Sequence, residues 1–198
     1  MPDLEEKIGE NNEILLRGKT ITPGYYRKPV STAAAIDKDG WFHTGDAGRL
    51  EGRVLYLTDR IKDLFKTSNG KYICPQALET KFIIDRYIDQ VAIIADERKF
   101  VSALIVPVYG LVEAYAKEKG IAYSSMEELL QHPKIQALYR ARIDTLQQQF
   151  AHYEQVKRFT LLPKPFSMER GELTNTLKLK RPIVAQNYKE IIDRMYEE

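Results

Sequence analysis

The stretch Asp59-Arg60-Ile61-Lys62-Asp63-Leu64-Phe65-Lys66-Thr67-Ser68-Asn69-Gly70-Lys71-Tyr72-Ile73-Cys74-Pro75 divides the chain into two parts of different character. Asn-Gly is the strongest short hairpin signal, because both residues tolerate the left-handed backbone of a type I′ turn. A hairpin is therefore expected from Leu64 to Cys74, with Asn69-Gly70 at its tip. Pro75 suits the first turn of a helix, having no amide hydrogen to lose there. Leu78, Phe82 and Ile83 recur at helical spacing, so a helix is expected from Pro75 to about Tyr87.

Upstream of this stretch the chain reads as short strands and turns. Glu13-Ile14-Leu15-Leu16-Arg17-Gly18 is an apolar run closed by glycine, and Arg53 to Thr58 is rich in β-branched and aromatic residues. Ser31 to Ile36 reads as one short helix between turn signals at Thr22-Pro23-Gly24 and Asp37-Lys38-Asp39-Gly40. Downstream, Gln90 to Ala95 and Phe100 to Pro107 read as paired strands, and Arg158 to Leu162 as a last strand. A short helix from Leu111 to Lys119 is closed by Gly120. Ser124 and Ser125, followed three residues on by Glu127 and Glu128, form overlapping capping boxes. Pro133 ends that helix, and a longer one is expected from Lys134 to Tyr153. Pro163 to Thr176 reads as loop, and Pro182 to Tyr196 as one amphipathic helix. The fold class expected is α+β. A small β-rich unit, residues 1–58, precedes a compact α+β domain, residues 59–198, whose small central sheet is flanked by helices.

Composition excludes several classes. The 198 residues are 43% hydrophobic and 29% charged with a net charge of +2, which argues against disorder. The 30 basic residues face 28 acidic ones, so nucleic acid is not an expected partner. No apolar run is long enough to span a membrane. A single cysteine excludes a disulfide scaffold and fits a reducing compartment, with the cytoplasm as the default. Charge is nonetheless uneven. Lys157 to Arg181 holds seven basic residues against Glu169 and Glu172, which suits an anionic small ligand.

Three segments combine glycine, charge and apparent loop position. In Gly40-Trp41-Phe42-His43-Thr44-Gly45-Asp46, a carboxylate after Thr-Gly can accept two hydrogen bonds from a vicinal diol such as ribose; an ordinary turn aspartate fits equally well. Trp41 reads as core. In Asp59 to Lys71, Arg60 can donate a fork of hydrogen bonds to a sugar or phosphate, or simply pair with Asp59 or Asp63. The hairpin tip offers amides, a hydroxyl and two lysines, or is a solvated turn. In Glu172 to Arg181, a lysine on a loop can neutralise a phosphate and a carboxylate together, or the loop docks its own domain. His43, His132 and His152 are scattered, and no metal site is expected.

In order and spacing, these segments resemble the carboxyl-terminal part of the acyl-adenylate-forming enzymes. The resemblance rests on Glu13 to Gly18, Gly24-Tyr25-Tyr26, Asp39 to Asp46, Leu57 to Arg60, and Leu173-Thr174-Asn175-Thr176-Leu177-Lys178-Leu179-Lys180-Arg181. Asp59 to Glu79 is similar to the long-chain fatty acyl-CoA synthetase branch. The resemblance implies a ligase using a fatty acid, Mg-ATP and coenzyme A, through an acyl-adenylate that releases pyrophosphate and then AMP. It implies that Asp46 and Arg60 contact the nucleotide and that Lys62 is the hinge of a mobile domain. It further implies that Lys178 is the adenylation lysine and that Ser68, Gly70 and Lys71 lie at coenzyme A contacts. The family's phosphate loop, acyl pocket and magnesium-organising acid are absent from the 198 residues. The chain is therefore expected to be a fragment: the last β subdomain of the large AMP-binding domain, then the whole carboxyl-terminal domain. Alone it is expected to be inactive, with magnesium held mainly by the missing part, which is also where peripheral membrane contact would arise. A non-catalytic interaction module derived from such an enzyme, and a ligase for medium-chain or aryl acids, are the alternatives.

Overall fold

The computed structural model describes residues 3–197, the side chains of Asp59 and Lys62 excepted. The chain forms two compact units that separate between Leu64 and Phe65.

The first unit is built on a four-stranded antiparallel sheet in the order β1 (Leu4–Ile8), β2 (Glu13–Gly18), β3 (Phe42–Glu51), β4 (Val54–Arg60), with one short helix, α1 (Pro29–Ala35). Its buried apolar side chains are few: Ile14, Leu15 and Ala47. Tyr26, Val30 and Leu57 are exposed. Segment Phe42 to Asp46, read above as loop, is the first half of the ten-residue strand β3. Its glycines suggested turns but serve the sheet. Gly45 takes φ +70°, which bends the strand. Gly48 lies where a Cβ would stand 2.5 Å from the Tyr56 carbonyl oxygen and 2.6 Å from Ile14 Cδ1. Trp41 is not core. It is half-buried, with Lys7 Nζ 4.1 Å and the Arg17 guanidinium 4.5 Å from its ring centroid.

The second unit opens with the expected hairpin, β5 (Phe65–Lys66) against β6 (Tyr72–Ile73). A three-stranded sheet follows in the order β7 (Ile88–Ile94), β8 (Val101–Pro107), β9 (Val156–Leu161). β7 and β8 pair antiparallel, and β8 and β9 parallel. The parallel pair needs a crossover, supplied by α3 (Tyr109–Glu118), α4 (Met126–Gln131) and α5 (Pro133–Leu146). β8 is buried along its whole length because its alternate side chains enter two cores. Val101, Ala103 and Ile105 join Leu78, Phe82 and Ile143 from the helices on one face. Leu104 and Val106 join Phe166, Val184 and Ile192 on the other. α3 ends as Gly120 predicts. Gly120, at φ +63°, donates to Lys117 O, and Ile121 N donates to Ala116 O at 2.9 Å.

Three helices are shorter or more broken than their periodicity suggests. α2 (Pro75–Phe82) stops before Tyr87. Asp85 Oδ1 accepts from Tyr87 N at 2.9 Å, and its Oδ2 pairs with Arg142 at 2.7 Å, which turns the chain and leaves Ile83 exposed. α5 ends at Leu146, short of Tyr153, because the buried Gln147 side chain accepts from Val156 N at 2.8 Å and draws the chain into β9. The last helix divides at Tyr188 (φ −108°, ψ 19°) into α6 (Arg181–Asn187) and α7 (Lys189–Arg194), where the Tyr188 ring meets Phe166 edge-on.

Candidate functional site

In the first unit, Asp46 on β3 and Arg60 on β4 are register partners across the sheet. Arg60 Nε lies 3.0 Å from Asp46 Oδ1. Asp46 is three-quarters buried and Arg60 mostly exposed, so the guanidinium presents a solvent-facing edge beside the carboxylate. The register shifts between Ala47 and Gly48, so one extra β4 residue is accommodated just before this pair. The approach to Asp46 is fixed by side chains the sequence did not mark. Glu13 Oε1 accepts from Gly45 N at 3.0 Å, and Oε2 lies 2.9 Å from His43 Nδ1. Thr44 Oγ1 donates to Ile14 O at 2.7 Å and accepts from Asp46 N at 3.1 Å. Lys62 sits in the single helical turn Ile61–Asp63 that ends this unit, and its side chain lies outside the described residues.

In the second unit, Ser68, Gly70 and Lys71 crown the β5–β6 hairpin. The turn differs from the type I′ expected. It is a three-residue loop closed by Thr67 N donating to Lys71 O at 2.9 Å and Gly70 N donating to Thr67 O at 2.8 Å. Within it only Gly70 has positive φ, at +75°; Asn69 does not. Instead Asn69 Nδ2 donates to Lys99 O at 3.3 Å, and Ser68 N donates to Arg98 O at 3.0 Å, which docks the tip on the β7–β8 turn. Ser68, Gly70 and Lys71 are exposed, and Lys71 Nζ lies 5.5 Å from the Tyr153 ring centroid.

Lys178 stands on a second hairpin of the same design. Leu173 bridges Leu179, Thr174 N donates to Lys178 O at 2.8 Å, and Leu177 N donates to Thr174 O at 2.9 Å. Lys178 N donates to Thr174 Oγ1 at 3.0 Å, as Lys71 N donates to Thr67 Oγ1 at 3.1 Å. The spacing Thr-x-x-x-Lys occurs five times in the sequence, so it does not by itself mark this likeness. Lys178 itself is exposed.

Two carboxylates, the buried Glu172 and the partly buried Glu79, anchor this second hairpin, and isolated glutamates in loops and helices carry no periodicity that would mark them. Glu172, fully buried, accepts from Ser167 N at 2.9 Å, Asn187 Nδ2 at 3.1 Å and Arg170 Nε at 3.1 Å, and pairs with a second Arg170 nitrogen at 2.9 Å. Burial alone would raise its pKa. The Arg170 guanidinium, with the Ser167 and Asn187 amides, outweighs burial and holds it below the ordinary carboxylate value. Glu79 on α2 takes a two-pronged pair from Arg181, at 2.6 and 2.7 Å, and also accepts from Ile93 N at 2.9 Å. The Arg181 guanidinium lies over the Phe65 ring at 5.4 Å, so the end of the Lys178 hairpin is tied to both β5 and α2.

Asp46 and Arg60 thus form one group in the first unit, while Ser68, Gly70, Lys71 and Lys178 belong to the second. Among the described residues no three His, Cys, Asp or Glu side chains could hold a metal ion. No helix among them is long and apolar enough to cross a membrane.

Residues 62–198 match the AMP-binding enzyme C-terminal domain. Long chain acyl-CoA synthetase 6, peroxisomal, of Arabidopsis thaliana is 36% identical over 192 residues, 94% of this chain and 27% of that protein. Long-chain-fatty-acid-CoA ligase 5 of Rattus norvegicus is 36% identical over 197 residues, 96% of this chain and 28% of that protein. The chain spans less than a third of the length of these two relatives. Among solved structures, the adenylation domain of a carboxylate reductase from Mycobacterium chelonae superposes with a TM-score of 0.67 at 26% identity, over 94% of this chain and 28% of that one. The corresponding domain from Segniliparus rugosus, solved with AMP and a co-purified carboxylic acid, gives 0.65 at 26% identity, over 93% of this chain and 28% of that one.

Proposed function

Because the chain belongs to the family of AMP-binding enzyme C-terminal domains, we propose that it is the carboxyl-terminal portion of a long-chain fatty acid-CoA ligase. In the first half-reaction a carboxylate oxygen of the fatty acid attacks the α-phosphorus of ATP, the bond to pyrophosphate breaks, and an acyl-adenylate forms. In the second, the sulfur of coenzyme A, having given up its proton, attacks the acyl carbonyl carbon, and the bond from that carbon to the phosphate oxygen breaks with its electron pair leaving on AMP.

The observation that carries this reading is the Lys178 hairpin: an exposed cation on a tight loop whose base is pinned by the buried Glu172 and the partly buried Glu79. Carboxylate and α-phosphate repel as they approach, so a lysine placed between them is worth more in the transition state than before it. A rigid mount makes that placement inexpensive at the moment of reaction. Asp46 accepts from the ribose hydroxyls, and Arg60, held on Asp46 Oδ1, contacts the same nucleotide. Lys62 lies at the hinge, Lys178 serves adenylation, and the exposed tip Ser68-Asn69-Gly70-Lys71 meets coenzyme A.

Residues 1–58 are then the last β subdomain of the large AMP-binding domain, and residues 59–198 its mobile partner. The separation of compact units after Leu64 and the family match from residue 62 support this division. So do the thin core and exposed apolar side chains of the first unit. The described donor set does not fit Mg2+, so no step here passes through it. The one thiol, Cys74, supports a cytoplasmic location.

The test has two arms. The chain alone, given ATP and a long-chain acid, should catalyse no ATP–pyrophosphate exchange. Grafted in place of the matching segment of the rat relative, it should yield acyl-CoA. Robust exchange by the chain alone, or a folded graft that makes no acyl-CoA, would overturn the reading.

A further inference from the structure

The two lysine hairpins are closed by the same pair of main-chain hydrogen bonds, and one of the three loop positions at which their sequences differ bears on the backbone. The left-handed residue before the lysine is Gly70 in one and Leu177 in the other, at φ +60°. A leucine there is doubly unfavourable. Its Cβ crowds the backbone in the left-handed region, where glycine is the easy choice. Its side chain is also 67% exposed, so the strain is not offset by burial within this unit. Strain of this kind persists where the residue is used.

The use is set by the neighbour. Lys178 follows directly and, on the reading above, its cation meets the fatty-acid carboxylate. The apolar matter that adjoins this carboxylate is the acyl chain itself. We propose that Leu177 is a specificity-determining residue that packs on the first methylenes of the acyl substrate while Lys178 holds its carboxylate. The contact removes Leu177 from water and shields the lysine–carboxylate pair. A polar acid of the same head group would lack it. The proposal rests on the functional reading and adds to it the determinant of an apolar acid at this end of the site.

Three variants separate conformation from chemistry. Leu177→Gly and Leu177→Asn both suit a left-handed backbone but lack the apolar side chain, whereas Leu177→Met restores it. In the isolated chain, Leu177→Gly should leave the melting temperature unchanged or raise it by up to about 4 °C. In the grafted ligase, Leu177→Gly and Leu177→Asn should lower kcat/KM for the fatty acid by about tenfold or more, through KM for the acid, with KM for ATP held within about twofold. Leu177→Met should recover most of the loss.

Two results would overturn the proposal. One is a melting temperature that falls more than about 5 °C, because Leu177 then supports the fold. The other is an unchanged KM for the acid, whether or not kcat falls, because a contact already made with the bound acyl chain must appear in KM. Lys178→Ala in the same graft keeps the two claims apart. If it abolishes adenylation while the Leu177 variants do nothing, only this inference fails. If it too does nothing, the functional reading fails.

Discussion

Replacing Glu172 by Gln probes the mount of Lys178, the proposed adenylation lysine, without touching the lysine. The carboxylate has no exposed surface and accepts from the Ser167 amide, the Asn187 amide and both Arg170 nitrogens. An amide of the same shape turns one of its two oxygens into a donor, which then faces donors. Whichever oxygen is replaced, one charge-assisted contact with Arg170 and one neutral bond, from Ser167 N or Asn187 Nδ2, are lost. Bonds to charged groups contribute about 1.5–3 kcal/mol and neutral ones about 1, but Arg170 is 41% exposed and regains water, so its share falls at the low end. The sum is about 2–4 kcal/mol, a fall of about 6–12 °C in the transition of the second unit for a chain of this size. The pH sign follows from the depressed pKa of Glu172. Its stabilisation is complete above the unfolded-state value, near pH 4.5, and is lost as pH falls through the folded value. The gap between wild type and Glu172→Gln, followed by calorimetry from pH 7 to pH 3, should therefore be widest at neutral pH and narrow in acid. Amide exchange at Lys180, whose N–H donates to Glu172 O at 2.8 Å, should quicken in the variant. A gap under about 2 °C at pH 7, or one that does not narrow below pH 4.5, would refute this account of the hairpin base.

Two other substitutions test the backbone geometry around the candidate residues. Gly70→Ala meets no atom within 4 Å, so its cost is the left-handed φ alone, about 1–2 kcal/mol, and Gly70→Asn should cost less; an equal loss for both would contradict the turn geometry. Gly48→Ala drives a methyl to 2.5 Å from the Tyr56 carbonyl, which must shift; about 2 kcal/mol or more should be lost, read as faster amide exchange along β3 and β4, and unchanged protection there would argue against the close approach.

The frame of the second unit was legible because its signals are local. Asn69-Gly70, Pro75, Gly120 and the paired serines each act within a few residues, and hairpin, helix starts and helix stop fall where they point. The central sheet was legible chiefly through β8, an almost continuous apolar run buried on both faces. What failed depended on distant partners. The end of α2 is set by Arg142 acting on Asp85, 57 residues away. β3 was obscured by Gly45, which carries a positive φ within the strand, and by Gly48, where the neighbouring strands leave no room for a side chain. At the site, the residue types of Asp46, Arg60 and Lys178 were readable, and so was the lysine loop. Their supports were not: Glu13, Glu79 and Glu172 gain meaning only when folding brings Gly45, Arg181 and Asn187 to them.

The central claim is that Lys178 assists adenylation and leaves thioester formation to the rest of the enzyme. The measurement is Lys178→Ala in the grafted ligase, with each half-reaction followed separately. Adenylation, read by ATP–pyrophosphate exchange, should fall about 10²–10³-fold, while coenzyme A capture of a supplied acyl-adenylate stays within about threefold of the parent graft. Equal loss in both half-reactions, or no loss in the first, would contradict the account.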